Sequence, residues 1–201
     1  MINTRTGIVS ILAVCAFTGT SAIADLMWDE AIDGDLSGDY TNPTQLFTKG
    51  VNNHVRFITE DLSGDPDREY FTFTIDAGYE LTNLFLDTFE TTPEFNLAFI
   101  AIASGSAFPT PPSAPDPGAM LGYALVGIPD AGTDILQLMG EGAGSQGFTG
   151  PLGAGSYSIW AQETSIAIDV WDLNFVVAAI PAPGALSLLG LGAIGLRRRR
   201  A

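Results

Sequence analysis

Oxygen-bearing side chains recur at every second position from Asp61 through Ser63, Asp65 and Asp67 to Glu69. Calcium takes six to eight oxygen ligands, and a tight turn can fold closely spaced carboxylates around one ion. Asp61, Asp65, Asp67 and Glu69 are therefore the candidate metal ligands, with calcium as the candidate ion. Asp35-Leu36-Ser37-Gly38-Asp39 repeats the opening of that run, Asp61-Leu62-Ser63-Gly64-Asp65. The spacing is not that of an EF-hand, because Gly64 falls at the fourth position instead of the sixth and Thr72 stands where a bidentate glutamate belongs. Asp, Ser and Gly also build ordinary turns, so the same run can join two strands without an ion.

Nucleophilic catalysis finds few of the residues it needs. His54 is the single histidine, and no Gly-x-Ser-x-Gly elbow surrounds any serine. In Gly153-Ala154-Gly155-Ser156 the serine comes after the second glycine. One histidine leaves carboxylates to supply nearly every ligand of a zinc ion, and His54, which opens a strand-like run, reads as a surface or edge residue. A chain with 23 acidic residues always offers some pair at the spacing of a glycosidase, which keeps a cryptic hydrolase as a third reading. Trp160 is the handle for carbohydrate binding. Along 156–162 it shares a face with Ser158 and Gln162, where a flat ring can stack on a sugar, although so large an aromatic usually buries.

The elements that must hold these groups read as β-structure. Phe71, Phe73 and Ile75 alternate with Tyr70, Thr72 and Thr74, the period of a half-buried strand. Phe95, Leu97, Phe99 and Ala101 alternate likewise, with Ile100 and Ile102 pointing to burial on both faces. Further strands are expected over 54–59, 80–89, 119–126, 133–139, 155–162 and 168–178, where Trp171, Leu173, Phe175 and Val177 share a core face. Turn residues punctuate the gaps, and no segment carries a long helical period with caps. The fold class expected is all-β, a sandwich or barrel. Two stretches break the pattern: the prolines at 109, 111, 112, 115 and 117, expected to form a surface excursion, and the glycine-rich run 140–155, expected to be a flexible connection.

Charge is distributed unevenly. All 23 acidic residues lie within 25–180, against only Lys49, Arg56 and Arg68, a formal −20 for that body. Such a surface repels nucleic acid and favours divalent cations, basic partners or solubility in salt. The ends are different. Arg5, an apolar run from Ile8 to Phe17 and Ala22-Ile23-Ala24 have the anatomy of a secretory signal peptide over 1–24, cut by signal peptidase after Ala24. The only cysteine, Cys15, lies inside it, so the exported body can form no disulfide.

At the other end Pro181-Ala182-Pro183-Gly184 precedes an apolar run from Ala185 to Leu196 and then Arg197, Arg198, Arg199 and Arg200. Those 12 apolar residues span about 18 Å as a helix, short of a bilayer core of about 30 Å. The arginines hold the terminus in the cytoplasm. Proline break, short apolar helix and basic stop, in that order, resemble the carboxy-terminal sorting signal of the PEP-CTERM family, with Ala182 in place of the glutamate of Pro-Glu-Pro. The resemblance implies handling by an exosortase-type membrane protease and delivery through the cytoplasmic membrane of a bacterium to the cell surface or extracellular matrix.

The body carries a second resemblance. Asp67-Arg68-Glu69-Tyr70-Phe71-Thr72-Phe73-Thr74-Ile75 with Ala77-Gly78 and Leu81-Thr82, and later Gly153-Ala154-Gly155-Ser156-Tyr157-Ser158-Ile159-Trp160, is similar to the core strands of bacterial pre-peptidase C-terminal-like domains. This implies a single jelly-roll-like β-sandwich without catalysis of its own over 25–180, flanked by a signal helix and, over 181–201, a hydrophobic sorting helix. The leading expectation is an exported, non-enzymatic surface or matrix protein, with a calcium-assisted carbohydrate-binding module as the alternative. Expected partners are signal peptidase, the exosortase-type protease, the cytoplasmic membrane in transit and extracellular polysaccharide. Replacing Arg197 to Arg200 with neutral residues removes the barrier to translocation, since each charge costs about 2.5 to 3.5 kcal/mol at a helix centre. The variant is expected unprocessed in the periplasm or medium, and the parent cleaved near Pro181 to Pro183; mass spectrometry of the carboxy terminus in cell fractions distinguishes them.

Overall fold

The computed structural model describes residues 25–62 and 64–181. The candidate signal segment with Ala22 and Ala24, Ser63, and the tail from Ala182 with Pro183 and Arg197 to Arg200 lie outside the described residues, as do the two terminal helices expected there. In chain order the elements are β1 (Asp25–Asp29), α1 (Glu30–Asp33), β2 (Thr44–Gln45), β3 (Asn52–Glu60), β4 (Arg68–Ile75) and β5 (Tyr79–Thr92). There follow β6 (Ala98–Ser104), β7 (Gly122–Val126), β8 (Thr133–Asp134), α2 (Leu136–Gly140), β9 (Gly155–Glu163) and β10 (Ile168–Ala179). The described residues are mostly β, in two five-stranded sheets: sheet A, ordered β1-β3-β10-β5-β8, and sheet B, ordered β2-β4-β9-β6-β7. Neither closes into a barrel. β1 and β2 run parallel to their neighbours, and the other pairings are antiparallel.

Period-two alternation decides which side chains meet between the sheets. Val55 and Phe57 of β3, Leu84, Leu86 and Phe89 of β5 and Trp171, Leu173 and Phe175 of β10 face Phe71, Phe73, Ile100, Ile102, Tyr157 and Ile159 of sheet B in one core. Trp171 anchors it, stacked on Phe57 at 5.4 Å and edge-on to Phe89 at 4.9 Å. At one end of this core the inward-facing positions change from apolar to polar in five strands. Phe57 gives way to Thr59, Phe89 to Thr91, Trp171 to Asp169, Phe71 to Glu69 and Ala161 to Glu163, all buried.

The outer face of sheet B carries a second, smaller core. Tyr70, Ala101, Ala103 and Trp160 point away from the main core and are covered by Phe108 and Met120, which flank the proline cluster. Trp160 lies 5.4 Å from Phe108 and 5.7 Å from Tyr70, ring centre to ring centre. The proline-rich stretch is the surface excursion expected, with Pro109, Pro115 and Pro117 exposed, and through Phe108, Met120 and the buried Thr110 it also serves as a cover. This accounts for the doubly apolar run of β6, whose Ile100 and Ile102 enter one core and Ala101 and Ala103 the other. Trp160 does share its face with Ser158, but it is buried there and presents no ring to a sugar.

Three further expectations change. The strand expected over 133–139 is confined to β8, after which Leu136 and Met139 bury one face of α2, with Asp134 Oδ1 accepting from the Leu136 N–H at 3.0 Å. Phe95 and Leu97 precede β6, and Phe95 stands exposed. The glycine-rich run is packed against β7, since a Cβ on Gly142 would lie 2.7 Å from the Tyr123 carbonyl oxygen, and the Tyr123 hydroxyl donates to the Ala143 carbonyl at 2.8 Å. Phe108→Ala is expected to cost about 3 kcal/mol, as for other buried aromatics. Denaturant unfolding followed by tryptophan fluorescence should show the loss, because Trp160 sits beneath the deleted ring.

Candidate functional site: carboxylates at the sandwich edge

Strand alternation places Glu69 where a phenylalanine would otherwise fit. Phe71, Phe73 and Ile75 of β4 all face the main core, and Glu69, two residues earlier, must face the same way. It is fully buried, and among the described residues neither carboxyl oxygen has a hydrogen-bond donor. The sandwich is closed over it by residues 29–37, which cross from the edge of sheet A to the edge of sheet B.

That crossing is pinned at both ends. Asp29 caps α1 by accepting from the Ala31 N–H at 3.1 Å, and its own N–H donates to Asp33 at 2.9 Å. The helix stops at Gly34, whose φ of +90° few other residues adopt, and the Trp28 indole N–H donates to the Gly34 carbonyl at 3.0 Å. Beyond it the Tyr70 N–H donates to the Ser37 carbonyl at 2.8 Å, tying the segment to β4. Glu30 Oε2 accepts from the Ile58 N–H of β3 at 2.6 Å. With both ends fixed, Glu30, Asp35 and Glu69 offer oxygen atoms all within 4.8 Å of one another.

Such crowding acts on the protons. Burial, then repulsion from Asp67, Asp35 and Glu30, pushes the Glu69 carboxyl up to about 9. Burial, then Asp35 and Glu60, raises Asp67; burial, then Asp35, Asp67 and Asp29, raises Glu30. Glu30, Asp67 and Glu69 are thus all raised by one crowding of negative charge, and a hard divalent cation with oxygen ligands relieves the same repulsion.

Of the expected metal ligands, Glu69 stands in this cluster, Asp67 lies beside it close enough to raise its carboxyl, and Asp61 and Asp65 are used elsewhere. Asp61 Oδ1 accepts from the Gly64 N–H at 2.5 Å, the turn-forming role open to it from sequence. Asp65 is exposed and sits 3.7 Å from the Arg68 guanidinium. Glu30 and Asp35 replace them. Asp35 stands in the repeat Asp35 to Asp39, but local spacing could not show that it returns to Glu69.

A second buried group, Glu163, Asp169 and Asn96, resolves the same difficulty internally. The Asn96 amide nitrogen lies 2.8 and 2.9 Å from the two Glu163 oxygens and 3.3 Å from Asp169. The Thr164 and Ser165 N–H groups also donate to Glu163, at 2.6 and 2.9 Å. The amide occupies the centre where an ion would sit. Burial, then Glu163, raises the Asp169 carboxyl to about 7.

His54 is also placed differently from expectation. It is nearly buried on the outer face of sheet A, its Nδ1 2.7 Å from Asp172 Oδ1, because β10 brings Asp172 against it. Among the described residues no helix is long and apolar enough to cross a membrane. No family model, curated protein or solved structure matches the chain.

Glu69 and Asp169 hold protons more tightly in the folded chain than carboxyls do in the unfolded one. Their stabilisation is complete below the ordinary carboxylate range and is lost as pH rises, through about 7 for Asp169 and about 9 for Glu69. In chelator the protein is expected to melt at a lower temperature at pH 8.5 than at pH 5. Glu69→Gln, which needs no proton, should flatten that dependence and gain at least about 1 kcal/mol at pH 8.5, measured by calorimetry.

Proposed function

We propose that the chain is an exported, non-enzymatic cell-surface or matrix protein whose β-sandwich is locked by calcium bound at Glu30, Asp35, Asp67 and Glu69. The observation that carries the cation is the buried Glu69 carboxyl, without a donor among the described residues and facing two further carboxyls within 4.8 Å. A cation there joins the crossing segment 29–37 to β4, so binding links the edges of both sheets. Oxygen-only ligands and clustered negative charge favour calcium over softer metals.

The strand orders β3-β10-β5-β8 and β4-β9-β6-β7 support a jelly-roll reading, two four-stranded sheets exchanging successive strands, with β1 and β2 as added edges. The address rests on the sequence: a signal peptide, then Pro181-Ala182-Pro183, an apolar run and four arginines. The positions of the described ends fit a tethered domain. Asp25 pairs beside Asn53 at the start of β3, and the chain leaves β10 after Ala179, both away from Asp169 and Glu163 at the far end. Burial of Trp160 leaves the carbohydrate-binding alternative without the aromatic platform it would use.

Calcium binding to the folded state alone stabilises by mass action. Saturating calcium is expected to raise the melting temperature of the full chain, more at pH 8 than at pH 5, because the ion must displace the Glu69 proton. Asp35→Asn and Glu69→Gln should abolish the rise, and Asp61→Asn and Asp65→Asn should retain it. Equal midpoints with calcium and with chelator at pH 8 would leave the cluster as a proton-sharing plug.

A further inference from the structure

Sheet A leaves its outer face without the cover that Phe108 and Met120 give sheet B, and the chain's only histidine lies on that face. His54 is on β3, Asp172 on the central β10 and Asp87 on β5. Two strand spacings, about 10 Å, separate β3 from β5. Nevertheless His54 Nδ1 lies 2.7 Å from Asp172 Oδ1 and 3.8 Å from Asp87 Oδ2, and one ligand atom from each residue fits within 4.8 Å of the others.

The approach of Asp87 has a specific cause. Along β5 the buried positions run Leu84, Leu86, then Phe89 and Thr91, so the alternation slips by one between Leu86 and Phe89. The pairing with β10 slips at the same place: Asp172 pairs with Thr88 and Leu173 with Leu86, leaving Asp87 without a partner of its own. This is a β-bulge, which re-aims side chains and recurs beside functional sites. Here both Asp87 and Thr88 turn outward, and the Asp87 carboxylate leans over β10 toward the imidazole. Asp172 is fixed separately, because the Arg56 Nε–H donates to its Oδ2 at 2.9 Å. That bond leaves Oδ1 directed at His54, the arrangement by which neighbouring groups orient metal ligands.

We propose that His54, Asp87 and Asp172 bind a divalent transition-metal ion, zinc foremost, at a site separate from the carboxylate cluster around Glu69. The donor set decides the class of ion. Calcium and magnesium take oxygen ligands, whereas imidazole suits zinc and its neighbours in the first transition row. Zinc binds nitrogen and carboxylate oxygen at about 2.0–2.2 Å, so binding draws exposed Asp87 inward and eases Asp172 away from His54. The ion replaces whatever proton His54 and Asp172 share, and that proton passes to solvent. Three protein ligands leave at least one position for water or an outside oxygen donor. A neighbouring groove of about 550 Å³, lined in part by Arg56, Thr88 and Asp172, leads solvent to the same face.

The test is isothermal titration of the calcium-saturated full chain with zinc chloride, together with the ¹⁵N signals of the His54 ring. The parent should bind one equivalent with a shift of the Nδ1 resonance. His54→Gln and Asp87→Asn should each weaken binding at least tenfold, and Glu69→Gln should bind as the parent does. Asp87 is exposed on its bulge, so Asp87→Asn decides the matter if His54→Gln fails to fold. Absence of zinc binding by the folded parent, or unchanged affinity in Asp87→Asn, would overturn the site. Loss of calcium stabilisation with zinc binding intact would count against the carboxylate cluster alone.

Discussion

A charged carboxylate cannot remain in an apolar interior without a partner, and the alternation of β4 carries Glu69 into one. Moving it out would require a one-residue slip of the strand, which would expose Phe71, Phe73 and Ile75 together. The remaining remedies are a proton, a cation or a set of donors. The two buried acidic groups take different ones. Glu163 has the Asn96 amide and two backbone N–H groups directed at it; Glu69 has only other carboxyls. The segment 29–37 makes matters harder for Glu69, since it is what brings Glu30 and Asp35 in, and it is also what closes the sandwich edge. Closure and charge relief are thus one problem at this edge. The formal −20 of the body adds a field that favours proton and cation uptake over loss.

What was legible in the sequence follows from the range of each signal. The long strands could be read because alternation is local: β3, β4, β5, β9 and β10 all carry it. β8 and α2 could not be separated, because Ile135, Leu136 and Met139 satisfy a short strand and a single helical turn equally well. β1 and β2 hold their places by parallel pairing to distant partners, which no local period records. The proline-rich stretch was read as exposed because prolines cannot join a ladder; its value as a cover comes from Phe108 and Met120 at its flanks.

The candidate site was legible in part for the same reason. Asp67 and Glu69 stand out by spacing, and their neighbours Asp61 and Asp65 share that spacing while serving a turn. Spacing along a strand cannot distinguish the two uses, because the carboxyls that meet Glu69 come from Glu30 and Asp35 across the fold. A usable sign was nevertheless present. Glu69 and Asp169 each occupy a core-facing position in a strand whose other core-facing positions are apolar, and a lone acid in that register marks either a plug or a ligand.

The outer face of sheet A shows how one inserted residue changes what a sheet can do. Without the bulge, alternation carried on from Leu84 and Leu86 would turn Thr88 inward and take Phe89 from its contact with Trp171, and alternation carried back from Phe89 and Thr91 would turn Asp87 inward and Leu86 outward. With it, the core contacts of β5 are kept on both sides and an acid is added to the opposite face. The bulge thus serves the core and, by the same slip, sets a carboxylate beside the chain's only histidine. The added acid lies on the solvent side, where Arg56 already holds Asp172 in place. Sheet B uses its outer face for aromatic packing beneath Phe108, and sheet A leaves on its outer face both the charged group of His54, Arg56, Asp87 and Asp172 and the exposed Ile58, Ile168 and Val170.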